Sequence, residues 1–191
     1  MKIENLCFSY LDKEIEKTVF DGLNLESNSR IICLMGPSGC GKTTLLHILA
    51  GLLKPCGGTV SDSPANVSIM FQEDRLLPWL NAYENVALVR SGNPAWKEQE
   101  DNAAQLLKKL DIDPAMDIRS MSGGMKRRVA LARALAFESE ALLLDEPFKG
   151  MDEDLMQRAA DLIKSQNKIT VVSTHSEAEA RALGAEIVRL Q

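Results

Sequence analysis

Residues 36–44 read Gly36-Pro37-Ser38-Gly39-Cys40-Gly41-Lys42-Thr43-Thr44, a match to G-x-x-x-x-G-K-[ST]. The motif stands between an apolar run, Ile31-Ile32-Cys33-Leu34-Met35, and a helical one, Leu45-Leu46-His47-Ile48-Leu49-Ala50. Strand, glycine-rich turn and helix in that order constrain the fold more than any other stretch, because they place an open loop at the carboxyl end of a buried strand. Glycines let the backbone curl until successive N–H groups face inward as an anion nest. The following helix adds the positive end of its dipole, and Lys42 supplies a point charge to the outer phosphates. Thr43 is the residue whose hydroxyl would meet magnesium. With 12 Gly in the chain, such a match is expected by chance roughly 0.005 times.

Around this loop the sequence alternates short apolar β-type runs with amphipathic helices, the pattern of an α/β fold with a parallel sheet. Ile31 to Met35, Val67 to Phe71, Ala141 to Leu144 and Ile169 to Ser173 are continuous enough to be strands covered on both faces. Each ends in polar residues: Gly36-Pro37-Ser38, Gln72, Asp145-Glu146 and Thr174-His175. Ligands of open α/β sheets bind beyond the carboxyl ends of strands, so these four tips are expected to share one site.

Between about Asp74 and Ala136 helical periodicity takes over, and a helical insertion is expected within a single domain spanning residues 1–191. Pro94 suits a first helical turn, acids crowd Glu98, Glu100 and Asp101, and Ala103, Leu106, Leu107 and Leu110 recur on one face before Lys108 and Lys109. A second helix should follow Ser122-Gly123-Gly124, with Met125, Val129, Ala132 and Ala136 as its buried stripe and Lys126, Arg127 and Arg133 pointing elsewhere.

A phosphate loop alone leaves kinases, GTPases and motor ATPases open. Leu142-Leu143-Leu144-Asp145-Glu146-Pro147 narrows the choice, because it is a buried strand ending in two acids. Side chains of adjacent strand residues leave in opposite directions unless the turn begins there. Asp145 fits a role holding hydrated magnesium, Glu146 can orient or deprotonate an attacking water, and Pro147 stops the strand. A formal charge of −5 argues against a nucleic-acid partner. The longest apolar runs fall far below the roughly 18 residues of a membrane span, and MKIENLCFSY has no signal-peptide core. Cys7, Cys33, Cys40 and Cys56 show neither CxxC nor Cys/His clustering, which suits a reducing cytosol.

Met121-Ser122-Gly123-Gly124-Met125-Lys126-Arg127-Arg128-Val129-Ala130-Leu131-Ala132-Arg133-Ala134-Leu135 strongly resembles the signature helix of ABC-type ATPases. Free N–H groups where Ser122, Gly123 and Gly124 open that helix would make a second anion site. The resemblance covers essentially the whole chain. It implies a P-loop NTPase fold with a mainly parallel core sheet, a small antiparallel β subdomain and an inserted helical subdomain. By the same resemblance Tyr10 stacks on adenine, Gln72 is the Q-loop glutamine beside magnesium, Asp152 is the D-loop aspartate, and His175 is the switch histidine at the γ-phosphate. A lone histidine after a strand is more often capped or solvated, and an early tyrosine more often core. Only the order and spacing of the matches promote them.

Met125, and the run from Gln72 through Pro78-Trp79 to Val86, are similar to the nitrate, sulfonate and taurine importer branch. The resemblance thus implies an ATP-hydrolysing subunit, using ATP and Mg2+, of a membrane importer of a small solute. Its catalytic residues would be Lys42, Gln72, Glu146 and His175. Its partners would be transmembrane permease subunits, a second ATPase subunit in a head-to-tail homodimer and, indirectly, a substrate-binding protein. Its place would be the cytoplasmic face of the membrane. Leu76, Leu77, Pro78, Trp79 and Leu80 are the expected permease contact. A P-loop small-molecule phosphotransferase and an exporter ATPase are the alternatives; machines acting on DNA or ribosomes fit neither the length nor the charge. Three departures stand out. Ser27-Asn28-Ser29-Arg30 replaces the usual Gly-Glu turn and needs turn chemistry from Asn28 or Ser29. The segment from Lys54 to Val67 looks abbreviated, and no C-terminal regulatory domain is expected after Leu190.

Overall fold

The computed structural model describes residues 1–12, 15–61, 64–90 and 100–191. Among the described residues two sheets are built from eight strands, β1 (Lys2–Asp12), β2 (Ile15–Glu26), β3 (Ile31–Met35), β4 (Gly57–Ser61), β5 (Val67–Met70), β6 (Ala141–Asp145), β7 (Ile169–Ser173) and β8 (Glu186–Arg189). An antiparallel sheet has the order β2-β1-β4, and a parallel sheet the order β5-β6-β7-β3-β8. The helices are α1 (Lys42–Leu49), α2 (Ala82–Ala87), α3 (Glu100–Lys109), α4 (Gly123–Ala136), α5 (Glu153–Ser165) and α6 (Glu177–Leu183). Among the described residues no helix is long and apolar enough to cross a membrane.

The runs expected to be central strands are buried because helices cover the parallel sheet: β6 is buried at every residue and β3 at all but its first. Leu34, Leu45, Leu46, Leu143 and Val171 join Phe8 and Phe20 of the hairpin in one core. A second core forms where α3 and α4 meet β5 and β6. The α3 stripe is buried as expected at Ala103, Leu106, Leu107 and Leu110, whereas Pro94 and Glu98 lie outside the described residues. Strand β8 went unforeseen because Glu186 to Arg189 is an edge strand of mixed polarity.

One expectation is corrected and another extended. Arg127 does not point away with Lys126 and Arg133; it is 4% exposed, because the carboxyl ends of β5 and β6 offer carbonyl oxygens to its guanidinium. The turn at residues 27–30 is anchored, as expected, by Ser29, whose side chain hydrogen-bonds the Glu186 carboxylate, but Ser27, which was not foreseen, shares the anchoring. Buried Ser27 accepts from the Ser29 N–H at 3.1 Å and donates to Glu186 Oε2 at 2.7 Å, tying the turn to β8.

Candidate functional site

The phosphate loop leaves β3 and enters α1 through Gly41, whose φ of +98° and crowding decide the residue. A Cβ there would stand 2.6 Å from the Phe20 ring and 2.7 Å from Val19 Cγ1, so only glycine fits. Helix α1 has no side-chain cap, whereas Asn81, Ser122, Asp152 and Ser176 cap α2, α4, α5 and α6. The first-turn N–H groups of α1 are therefore left to a ligand. Lys42 is 8% exposed, and its ammonium donates to Gly36 O at 2.8 Å and Pro37 O at 2.9 Å, with Cys40 Sγ at 3.7 Å. Thr43 Oγ1 donates to Asp145 Oδ2 at 2.7 Å, joining loop to acid across 102 residues of sequence.

Asp145 ends β6, and Glu146 turns at once into the left-handed region with φ +48°. That turn breaks the strand's alternation, so both carboxylates line one cleft rather than opposite faces. Ser173 at the end of β7 organises the pair. Its hydroxyl donates to Asp145 Oδ1, while the Glu146 N–H donates to Ser173 O at 3.1 Å and Oγ at 3.0 Å. His175 Nε2 lies 3.1 Å from Glu146 Oε1, and Lys149 Nζ 4.0 Å from Oε2.

These groups open into a cleft of about 260 Å³ lined by Tyr10, Ser38, Gly39, Gly41, Lys42, Thr43, Thr44, Gln72, Asp145, Glu146 and His175. All four strand tips thus meet. The Tyr10 hydroxyl lies 3.2 Å from Thr44 Oγ1, with its ring edge-on to Phe8 at 4.9 Å between centroids. Lys17 and Val19 of β2 complete the wall and went unpredicted, since nothing in the hairpin's alternation marks them. Gly36, Pro37 and Cys40 support the loop without lining the cleft.

Ser122, Gly123, Gly124 and Asp152 are not brought into the cleft. Ser122 and Asp152 are helix caps, accepting from Met125 N at 3.3 Å and Leu155 N at 2.9 Å. A Cβ on Gly123 would meet nothing within 4 Å, whereas one on Gly124 would stand 2.9 Å from Gly150 O.

Sequence reasoning also missed Glu179. It accepts from the Thr174 hydroxyl behind His175. Burial pushes its carboxyl pKa up; the Thr174 hydrogen bond opposes this, the Glu146 charge adds to it, and His175 again opposes it. The same burial, helped by Glu179, pushes the Cys33 thiol up to about 12. Glutamate four residues after a polar strand tip carries no signal by itself.

The apolar run after Gln72 divides. Leu76 packs against the core, Leu77 and Leu80 are half-buried, and Pro78 and Trp79 are exposed, Trp79 by 68%. Fully buried Asn85 holds this shape, accepting from Leu77 N at 2.8 Å and donating to Leu77 O at 3.1 Å and Asn81 O at 3.0 Å.

A family model described as ABC transporter matches residues 21–149. The chain belongs to the ABC transporter family. This ABC cassette is 39% identical over 183 residues to the aliphatic sulfonates import ATP-binding protein SsuB of Corynebacterium glutamicum, covering 91% of this chain and 74% of that one. It is 36% identical over 200 residues to the taurine import ATP-binding protein TauB of Pseudomonas aeruginosa, covering 97% and 76%. Among solved structures, it matches the dimeric post-hydrolysis state of the ATP-binding cassette MJ0796 bound to ADP and Pi. That match has a TM-score of 0.84 and 29% identity, over 100% of this chain and 94% of that one. The fold is that of an ABC-type P-loop ATPase.

Proposed function

We propose that this chain is the ATP-binding and ATP-hydrolysing subunit of an ABC importer of a small solute, working as a head-to-tail pair that closes on ATP. The observation that carries the reading is the cleft, where the Lys42 loop, the Thr43–Asp145 pair and the His175–Glu146 pair converge. Lys42 and the backbone N–H groups of the loop from Ser38 to Thr44 hold the phosphates. Tyr10 meets the base. A hydroxyl, a carboxylate and an amide oxygen from Thr43, Asp145 and Gln72 are hard oxygen donors that suit Mg2+. The cation would screen charge on the β- and γ-phosphates. Glu146 orients or deprotonates the attacking water and His175 stands at the γ-phosphate.

Ser122, Gly123, Gly124 and Asp152 serve the partner's nucleotide, consistent with their place outside this cleft and with the open space at Gly123. The relatives named as import proteins favour import over export or phosphotransfer. Permease subunits, with a substrate-binding protein beyond them, supply the membrane path, and Pro78 and Trp79 on the stapled loop are the surface offered to them from the cytoplasmic side.

The test is ATP-dependent dimerisation of Glu146→Gln, followed by sedimentation. ATP should drive dimers and ADP should not, because each γ-phosphate bridges two chains and ligand binding then stabilises only the pair. A further Gly123→Asp change should abolish them by setting a carboxylate against the phosphate. Persistence of the dimer in the double variant would overturn the shared site.

A further inference from the structure

Among the described residues Arg127 is the only buried arginine, and its five contacts reach two separate segments, residues 71–74 and 145–146. Nε donates to Glu146 O at 3.1 Å. Nη1 donates to Phe71 O at 2.7 Å, Gln72 O at 3.1 Å and Asp74 Oδ1 at 2.9 Å, and Nη2 donates to Asp145 O. The parallel register of β5 with β6 ends at Met70↔Leu144. Just beyond it the two strands part, and their carbonyls lose the ladder. The planar guanidinium fork spans that gap, with donors facing both strand ends at once. None of its bonds reaches the phosphate loop.

We propose that Arg127 is a positioning residue for hydrolysis: its guanidinium ties the signature helix α4 to the backbone of Gln72 and Glu146, and so sets where both side chains stand in the cleft. The Glu146 backbone is held in its left-handed conformation from two sides, its N–H by Ser173 and its C=O by Arg127. That conformation is unfavourable for a residue with a Cβ and relaxes when one restraint is removed, carrying the carboxylate away from His175. Arg127 lies on the same rigid helix as Ser122-Gly123-Gly124, little more than one turn along. Engagement of the signature end by a partner's nucleotide therefore bears directly on this chain's own Glu146. Lysine cannot substitute, since three donors on one nitrogen do not bridge two strand ends.

The inference rests on the reading that Glu146 acts on the attacking water, so the experiment carries Glu146→Gln alongside. Arg127→Met, Arg127→Lys and Glu146→Gln are made in the full chain, and ATP turnover and equilibrium ATP binding are measured for each. Both Arg127 variants should lose about tenfold or more in kcat, with KM and ATP affinity within about threefold of wild type, because the phosphate loop is untouched. Should Arg127→Met fail to fold, Arg127→Lys keeps the charge and the stem and is expected to show the same split. In the Glu146→Gln background, adding Arg127→Lys should cost clearly less in single-turnover rate than it does in the wild-type chain, since one of the two residues it positions is already disabled. A kcat near wild type in both Arg127 variants, an equal fall in affinity and rate, or multiplicative losses in the double variant would overturn the role of Arg127 alone. Wild-type turnover by Glu146→Gln would overturn the assignment of Glu146 and this inference with it.

Discussion

The phosphate cleft and the signature end of α4 are both glycine-containing helix starts, yet they are finished differently. At the cleft, Gly41 leaves α1 uncapped and the loop meets Asp145, Glu146 and His175 from two other segments. At the signature, Ser122 caps its own helix and Gly123 faces open space. One region is completed by the chain's own folding; at the other, Gly124 packs on Gly150 but a side chain at Gly123 would meet nothing among the described residues. The contrast teaches that a chain can carry two anion-binding helix starts without carrying two sites.

The comparison breaks most sharply at Glu146. Replacing it with Gln should lower turnover by about a hundredfold or more while ATP affinity stays near wild type, because a general base is lost and the phosphate contacts are kept. A fall in affinity as large as the fall in rate, by equilibrium titration, would mean that Glu146 holds nucleotide rather than acting on water. Next comes Lys42→Ala, which removes a buried cation from the loop and should weaken ATP binding by about tenfold or more. Unchanged affinity would mean that the cleft is not completed in cis.

The two signature glycines sharpen the other side. Gly124→Ala forces a Cβ against Gly150 O at 2.9 Å, and should cost about 1–3 kcal/mol in denaturant unfolding. Gly123→Ala should leave stability within about 1 kcal/mol of wild type, yet weaken ATP-dependent dimers in the Glu146→Gln background. Equal effects at both positions would dissolve the distinction between a packing glycine and an interface one.

The smallest effect concerns Glu179, whose carboxyl pKa is raised above its ordinary 4.5 chiefly by burial. A raised folded-state pKa means that the native chain binds more protons than the unfolded one between the two values, so stability falls as pH rises through that window. Melting curves for wild type and Glu179→Gln should therefore diverge in the variant's favour from about pH 4.5 upward and run parallel once Glu179 has ionised. Parallel curves throughout would show that Glu179 titrates as an ordinary surface acid.

Much of the cleft was legible because its parts are local. The loop at residues 36–44 and the acids after Leu144 announce themselves through unbroken apolar strands that end abruptly in polar residues. The α3 stripe was legible for the same reason, since a period of 3.6 needs no knowledge of its neighbour. Arg127 and Ser173 were not, because each acquires its meaning from atoms distant in sequence, carbonyls 55 and 56 residues away for Arg127 and an acid 28 residues away for Ser173; Glu179 was not, because its character comes from burial. The Ser27 hydroxyl, bonded to Glu186 across 159 residues, is the extreme case.

By itself, then, the order of residues determined the central strands and the helices beside them, though not the edge strand β8, and which chemical groups stand at their ends. Those outcomes follow from periodicity, turn chemistry and backbone sterics within a few residues. Only the tertiary structure decided that β6 lies between β5 and β7, and that Glu146 turns left-handed so both acids face one cleft. It also decided that a charged residue of α4 is buried while Ser122-Gly123-Gly124 lies away from the cleft. Strand order and burial are set by which apolar faces can be covered together, a property of the whole chain that no local window contains.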